Sequence, residues 1–233
     1  MKQLENIPAC NECALDNNNL FRHLTKDELD LLSYEKSYNF YNKGDVIYHE
    51  GSRVSGFYCV FKGIVKLYKT GHEGREHIIR FAKKSDIIGF RSVLSDDVAC
   101  HTARVIENAV LCFIPSETLF DLIRKNADFS IALHKLTCRE LGEANTFITD
   151  IAQKSVRERL AEVLLILYNS FGLDNELFLQ ITLTREELAN IVGTATESTI
   201  RLLGEFKEEK IIEIQGRKLK FVNIKELKKI ANV

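Results

Sequence analysis

The sequence lacks a charge excess of either sign: 32 Lys and Arg stand against 33 Asp and Glu, a formal net charge of −1 over 233 residues. The whole-chain basic balance of many nucleic-acid binders is therefore absent, and any phosphate-attracting surface must be local. Long apolar runs are lacking too. The longest, Val163 to Tyr168 and the equally long Ala109 to Ile114, fall far short of the ~20 residues that a membrane helix needs. Residues 1 to 8 hold no apolar segment of signal-peptide length. The expectation is a soluble, cytoplasmic chain without membrane contact. Signatures of catalysis are missing: there is no P-loop, no G-x-S-x-G and no H-E-x-x-H. The histidines (His23, His49, His72, His77, His101, His134) are scattered, so turnover is not expected. His72 and His77 border a hairpin and are expected to face solvent; His101 is expected at the surface, with a place in the lining of a pocket as the alternative. No internal repeat or low-complexity tract occurs. In a reducing compartment the six cysteines do not read as a disulfide framework. They are buried thiols, metal or cluster ligands, or redox sensors.

A hydrophobic content of 45% and a charged content of 28% describe a globular chain with enough apolar surface for two modest cores or one large one. Residues 1–20 form a leader carrying Cys10 and Cys13. Thr25-Lys26-Asp27-Glu28 is a capping box that opens a short helix with Leu29 and Leu32 inside. From Tyr38 to Pro115 short β-rich runs alternate with glycines, among them Lys62-Gly63 and Gly89. The runs are Val46–Tyr48, Phe57–Phe61, Ile64–Tyr68, His77–Phe81 and Ala109–Ile114. That texture predicts an antiparallel barrel or jelly roll. Ser116 to Lys125 reads as a helix.

Residues 127–153 contain no proline. Apolar residues fall at Phe129, Leu133 and Leu136, then at Leu141, Ala144, Ile148 and Ile151. The spacing suits a coiled-coil seam with one break in phase between Leu136 and Leu141. The expectation is a long dimerisation helix with Leu133, Leu136, Leu141, Ala144, Ile148 and Ile151 at the seam; the alternative is a core helix packed on the barrel. Ser155–Glu158 is a second capping box, which places a domain boundary near Lys154.

The C-terminal part repeats the device. Thr184–Glu187 and Thr194–Glu197 are further capping boxes, separated by Gly193. Two short helices around a glycine turn make a helix-turn-helix. Ile211–Ile214, a Gly216-Arg217 turn and Leu219–Val222 then form a hairpin, the wing of a winged helix. In the second helix Ile200, Leu203 and Phe206 are expected inside, and Thr196, Glu197, Ser198 and Arg201 outside. First-turn residues of such a helix reach base edges; Arg can grip guanine and Glu can accept from cytosine. Glu197 and Arg201, four residues apart, are expected to brace each other. Thr184, Thr194, Arg185, Arg217, Lys218 and Lys220 are candidates for the DNA surface and its phosphates. Residues 184–233 hold ten Lys/Arg against eight Asp/Glu, a net of +2. A rival reading keeps the same architecture as a ligand-binding signalling module that contacts protein.

Laid out in this way, the chain after residue 20 resembles the Crp/Fnr family of bacterial transcription regulators. The resemblance rests on Leu183-Thr184-Arg185, Gly193, Glu197, Arg201-Leu202-Leu203-Gly204 and Phe206, together with the barrel glycines. It implies an α+β fold: a cyclic-nucleotide-binding-like barrel over 21–126, a dimerisation helix over 127–153 and a winged helix-turn-helix over 154–233. It implies a homodimer on a near-palindromic double-stranded operator with a TGA-like core, and RNA polymerase as a further partner. Glu197 and Arg201 match the family's DNA contacts. Members that bind cyclic AMP carry Gly-Glu and a downstream Arg-Ser. Here Gly89 is followed by Phe90, and Ala99-Cys100 stands at the second position, so the cyclic-nucleotide branch is not the expectation; a regulator answering to a cyclic nucleotide or another small molecule, with purely structural cysteines, stays as the alternative. The oxygen-sensing branch holds an iron–sulfur cluster on cysteines of the N-terminus and one of the barrel. Cys10, Cys13 and Cys112 match; Asn19 stands at the third N-terminal cysteine. Such clusters take four thiolates as a rule, and Asp16, Cys100 or an outside ligand would complete this one. Three readings stay open: a working cluster, an inherited site that no longer holds one, and plain redox or structural thiols, with Cys59, Cys100, Cys112 and Cys138 in the core. A zinc site on Cys10, Cys13 and His23 is a further one.

Overall fold

The computed structural model describes Cys10 and residues 19–233; Cys13 and Asp16 lie outside the described residues. Two compact units result. One takes in the chain to Thr70 together with Ile79–Leu141, and the other joins Gly71–Ile78 to Gly142–Val233. No helix among the described residues is long and apolar enough to cross a membrane.

The first unit opens with a 3-10 turn, Leu20–His23, and helix α1, Lys26–Glu35. Thr25 and Glu28 form the expected capping box, with Glu28 Oε2 accepting from the Thr25 amide at 2.8 Å. The strands are β1 (Ser37–Tyr41), β2 (Val46–Tyr48), β3 (Gly56–Thr70), β4 (Glu76–Ala82), β5 (Ile87–Ile88) and β6 (Thr102–Pro115). Helix α2 (Phe90–Ser95) precedes β6, and α3 (Ser116–Lys125) and α4 (Ala127–Gln153) follow it. The sheet runs β1-β6-β3-β4, with β2 added to β6 and β5 to β3.

β3 passes straight through Lys62-Gly63, where the sequence suggests a turn between two strands. The chain bulges there instead: the register against β6 shifts at Val60/Lys62, Lys62/Ile64 and Ile64/Val65. Gly63 has φ +90°, and a Cβ would lie 2.5 Å from the Asn108 carbonyl oxygen. The glycine is needed for a bend that lets β6 pack closely, not for a reversal.

Two apolar cores result. One gathers Cys10, Phe21, Leu32, Phe57, Cys59, Cys112, Leu119, Phe129 and Leu133 between sheet and helices. The other fills the barrel around Tyr48, Val65, Leu67, Ala103 and Leu111. The phase break in α4 is a change of task. Phe129 and Leu133 are buried in the first core and Leu136 packs against it, so Leu133 and Leu136 are corrected from seam to core. Past the break the apolar residues stand in the open: Leu141 is 63% exposed, Ile148 65% and Ile151 47%.

In the second unit α5 (Val156–Phe171) starts at the expected Ser155/Glu158 box. It is followed by α6 (Arg185–Val192), α7 (Thr196–Glu208), the hairpin β7 (Ile212–Gln215) and β8 (Lys218–Phe221), and α8 (Ile224–Ala231). Leu160, Leu164, Leu188, Val192, Leu203, Phe206, Ile212 and Phe221 are buried. His77 belongs to this unit and is not solvent-facing. Its ring stacks on Phe147 with centroids 4.8 Å apart, and its Nδ1–H donates to the Asn190 carbonyl at 2.9 Å.

Candidate DNA interface and sensor centre

Helix α6 begins at Thr184, whose hydroxyl accepts from the Glu187 amide at 3.0 Å while Glu187 accepts from the Thr184 amide at 2.8 Å. It ends at Gly193, in the left-handed region at φ 71°, where a side chain would be strained. Arg159 of α5 seals that end. Its Nε donates to the Val192 carbonyl at 3.1 Å and its Nη1 to that of Lys154 at 2.8 Å. The guanidinium thus satisfies the last carbonyl of α6 and ties it to the start of α5, while the Ala189 carbonyl is satisfied by the Gly193 amide and that of Asn190 by His77.

Helix α7 departs from expectation in three ways. Its N-cap is Ala195 and no side chain caps it, so the box read at Thr194–Glu197 is absent; Thr199 instead bonds back to the Ala195 carbonyl at 3.4 Å. The inner face is Thr199, Leu202, Leu203 and Phe206, and Ile200 is 52% exposed. Arg201 does not pair with Glu197. Its Nη1 binds Glu205, which also receives Arg157 Nη1 at 3.0 Å. Arg157 in turn bonds Glu209 at 2.6 Å and lies 4.7 Å over the Phe206 ring. Arg201 is therefore oriented from within the unit by a chain of charges anchored on α5. Glu197 stays exposed and forms none of the described ion pairs. Thr194, Thr196 and Ser198 are half-buried beside it.

The wing turn exposes Arg217 and Lys218. Arg185 is half-buried, and its Nη2 donates to the Gly216 carbonyl at 2.9 Å, tying α6 to the wing. Burial holds its pKa below the usual arginine value, and Nη1 has no described partner. Lys220 pairs with Glu213 at 3.5 Å.

In the first unit a polar group lines the barrel. The Tyr48 hydroxyl lies 2.8 Å from His101 Nε2, and Arg91 Nη2 lies 3.4 Å from His101 Nδ1. Arginine can only donate, so Nδ1 accepts and Nε2–H points to Tyr48. His101 is 4% exposed, not at the surface. Burial, then Arg91 and Arg80, push its pKa down to about 4. Burial likewise raises that of Tyr48. Glu140, in the middle of α4, meets Arg80 Nη2 at 3.0 Å and Arg91 Nε at 3.4 Å. Phe90 is buried, so the position after Gly89 serves the core and offers no carboxylate to a sugar.

The described cysteines are thiols. Cys10, Cys59 and Cys112 share one core, whereas Cys100 and Cys138 are exposed, a correction to the expectation that they are buried. Cys100 Sγ lies 3.2 Å from His101 Nδ1, apart from that core. No cluster of three or more His, Cys, Asp or Glu is assembled for a metal ion among the described residues.

Residues 38–126 match the cyclic nucleotide-binding domain family, and residues 158–230 match the Crp-like helix-turn-helix domain family. The fumarate and nitrate reduction regulatory protein of Vibrio cholerae is 28% identical over 229 residues, covering 96% of this chain and 90% of that one. The protein of the same name from Escherichia coli K12 is 27% identical over 227 residues, covering 95% and 90%. A Crp/Fnr-family structure from Eubacterium rectale superposes with a TM-score of 0.74 at 21% identity, over 92% of this chain and 98% of that one. Barrel and reader together define a transcription regulator that couples a sensory domain to a helix-turn-helix DNA-binding domain. The chain belongs to the Crp/Fnr family. Helix-turn-helix proteins of this family bind DNA and act as dimers.

Sequence reasoning missed the second layer. Arg157, Arg159 and Glu205 hold the reader in place, and Arg80 and Glu140 tie the barrel to its helix. Their decisive contacts are distant in sequence, Arg157 to Glu205 and Glu209, Arg159 to Val192, and Arg80 to Glu140, and no local motif records them; the Arg201–Glu205 pair, four residues apart, is the one spacing that sequence reasoning could have found.

Proposed function

We propose that the protein works in the cytoplasm as a homodimer that reads a near-palindromic operator and responds to oxygen or redox state. The observation that carries the DNA reading is the outer face of α7: Glu197 is exposed, and Arg201 is aimed by Glu205 and Arg157. Two such helices, about one DNA turn apart in a two-fold dimer, meet half-sites of opposite sense. Glu197 and Arg201 read base edges, with Thr196 and Ser198 beside them. Thr184, Arg185, Thr194, Arg217 and Lys218 meet the backbone, which sets affinity and salt dependence. Leaving Glu205 costs Arg201 little, since exposed pairs are worth about 0.2–1 kcal/mol, against about 1–3 kcal/mol for a bidentate guanine contact. RNA polymerase is the further partner of such a regulator. Nothing in this scheme requires turnover.

The relatives are named for fumarate and nitrate reduction, and the thiols of the first core fit a sensor of that kind. Cys10 and Cys112 are buried in one apolar cluster, and Cys10 begins a C-x-x-C pair with Cys13. These three would hold an iron–sulfur cluster, since thiolates are its normal ligands. When bound, such a group supplies sensitivity to oxygen. The barrel's guanidiniums Arg80 and Arg91 are already engaged by Glu140, which favours this reading over an anionic effector held by them.

The test is Arg201→Ala in a titration of operator and random DNA at fixed salt. The expected loss is about 1–3 kcal/mol on the operator with relaxed specificity. An equal loss on both DNAs contradicts base reading by α7.

A further inference from the structure

Ile200 is the one apolar side chain that α7 leaves in the open, at 52% exposure. The inner face takes Thr199, Leu202, Leu203 and Phe206. The helical period therefore puts Glu197, Ile200, Arg201 and Gly204 on the opposite face. Ile200 stands among the residues that read base edges, not beneath them. A single exposed isoleucine is ordinary on a protein surface; this one is set apart by its neighbours. Glu197 is exposed three residues before it. Arg201, next to it, is 65% exposed and aimed by Glu205 and Arg157. Gly204, one turn further on, adds no bulk to that face: a Cβ there would meet nothing within 4 Å. The fold thus has room for an alanine at Gly204, which would suit a helix interior better than glycine does. A bare turn after Ile200 leaves space for another molecule to come close to the helix.

The chemistry of Ile200 fits one base. A branched alkyl group has no donor or acceptor, so it tells bases apart only by their apolar parts. In the major groove thymine presents such a part, its C5 methyl; cytosine carries a hydrogen at that position, and the purines present nitrogen and oxygen. β-branching holds the side chain near one χ1 rotamer in a helix, so little freedom is lost when it meets the base. Both alkyl groups leave water in the contact, which is favourable without any hydrogen bond.

We propose that Ile200 is a specificity residue: it packs against the methyl group of a thymine in the half-site that Arg201 grips, and so selects thymine over cytosine at one position. The proposal rests on the reading of α7 as the DNA helix and adds to it an apolar contact. Burying one methyl group is worth roughly fourfold in affinity, so the two half-sites of a dimer together give about tenfold.

The test uses the full-length protein and the operator that it selects from a randomised duplex pool. Each thymine of the half-site is replaced in turn, in both halves, by uracil, which keeps the pairing and removes only the methyl. Affinity is measured by fluorescence anisotropy at fixed salt for the wild type, Ile200→Ala and Lys218→Ala, and melting is followed in parallel. Expected is one thymine whose replacement weakens the wild type and Lys218→Ala about tenfold, but leaves the affinity of Ile200→Ala unchanged, with its melting kept. A penalty of equal size in the wild type and Ile200→Ala overturns the proposal, as does a half-site in which every uracil is harmless. Both results leave the operator preference, and with it the reading of α7, standing. Loss of cooperative melting in Ile200→Ala assigns the side chain to packing and also overturns the proposal. A wild type that selects no sequence from the pool overturns the reading of α7 and this proposal with it.

Discussion

At the scale of single residues, His101 shows how burial turns a titratable group into a structural one. Its ring is enclosed by Tyr48, Arg91 and Cys100, and a proton added there meets two nearby guanidiniums and little water. With a pKa near 4 in the fold, against 6.5 for the ordinary imidazole, the folded state refuses a proton that the unfolded chain accepts. The stabilisation is complete above pH 6.5 and is lost as the pH falls toward 4, by at most about 3 kcal/mol. Denaturant titrations of the wild type and His101→Gln at several pH values check this. The wild type is expected to lose more stability than the variant between pH 6.5 and 4; parallel curves would show that His101 titrates normally. Nothing in the sequence separates this histidine from the other five, because its partners are gathered from β2, α2 and the loop before β6.

Among the elements, those with local signals were legible. Three of the four capping boxes stand where the sequence puts them, at Thr25, Ser155 and Thr184, because a cap depends on residues three apart. The fourth fails since Ala195, one residue later, takes the cap position. Strands β1 and β5 were hard to read: β1 alternates polar and aromatic residues over only four positions and is largely exposed, and β5 has two residues. Helix α4 was legible as a helix, but its faces were confused by the phase break. On the folded chain a second register is open to a partner. Ile131, His134, Cys138, Leu141, Asn145, Ile148 and Ala152 recur at steps of three and four, and all are exposed. A heptad stripe of this length suits a two-stranded seam. Leu141, Ala144, Ile148 and Ile151 remain on or beside it. We expect Leu141→Glu or Ile148→Glu to convert a dimer to a monomer in sedimentation, with the melting of the barrel kept. An unchanged mass would rule out this face of α4 as the seam.

For the whole molecule, the fold class was legible because two unrelated patterns, glycine-punctuated strands and a capped helix-turn-helix, occur in one chain. The source of the signal was less so, because ligands drawn from leader and sheet carry no spacing rule. Regulation requires that the signal favour one of two states that differ in affinity for DNA, and a tenfold difference in that affinity corresponds to about 1.4 kcal/mol. Glu140, held by Arg80 and Arg91, is a route by which a change in the barrel reaches α4. The most direct measurement is the affinity of anaerobically prepared protein for a labelled two-fold operator, taken by fluorescence anisotropy before and after air. The account predicts tight, salt-dependent binding that weakens at least tenfold in air, in step with bleaching of the visible spectrum. Binding of equal strength before and after air would contradict it.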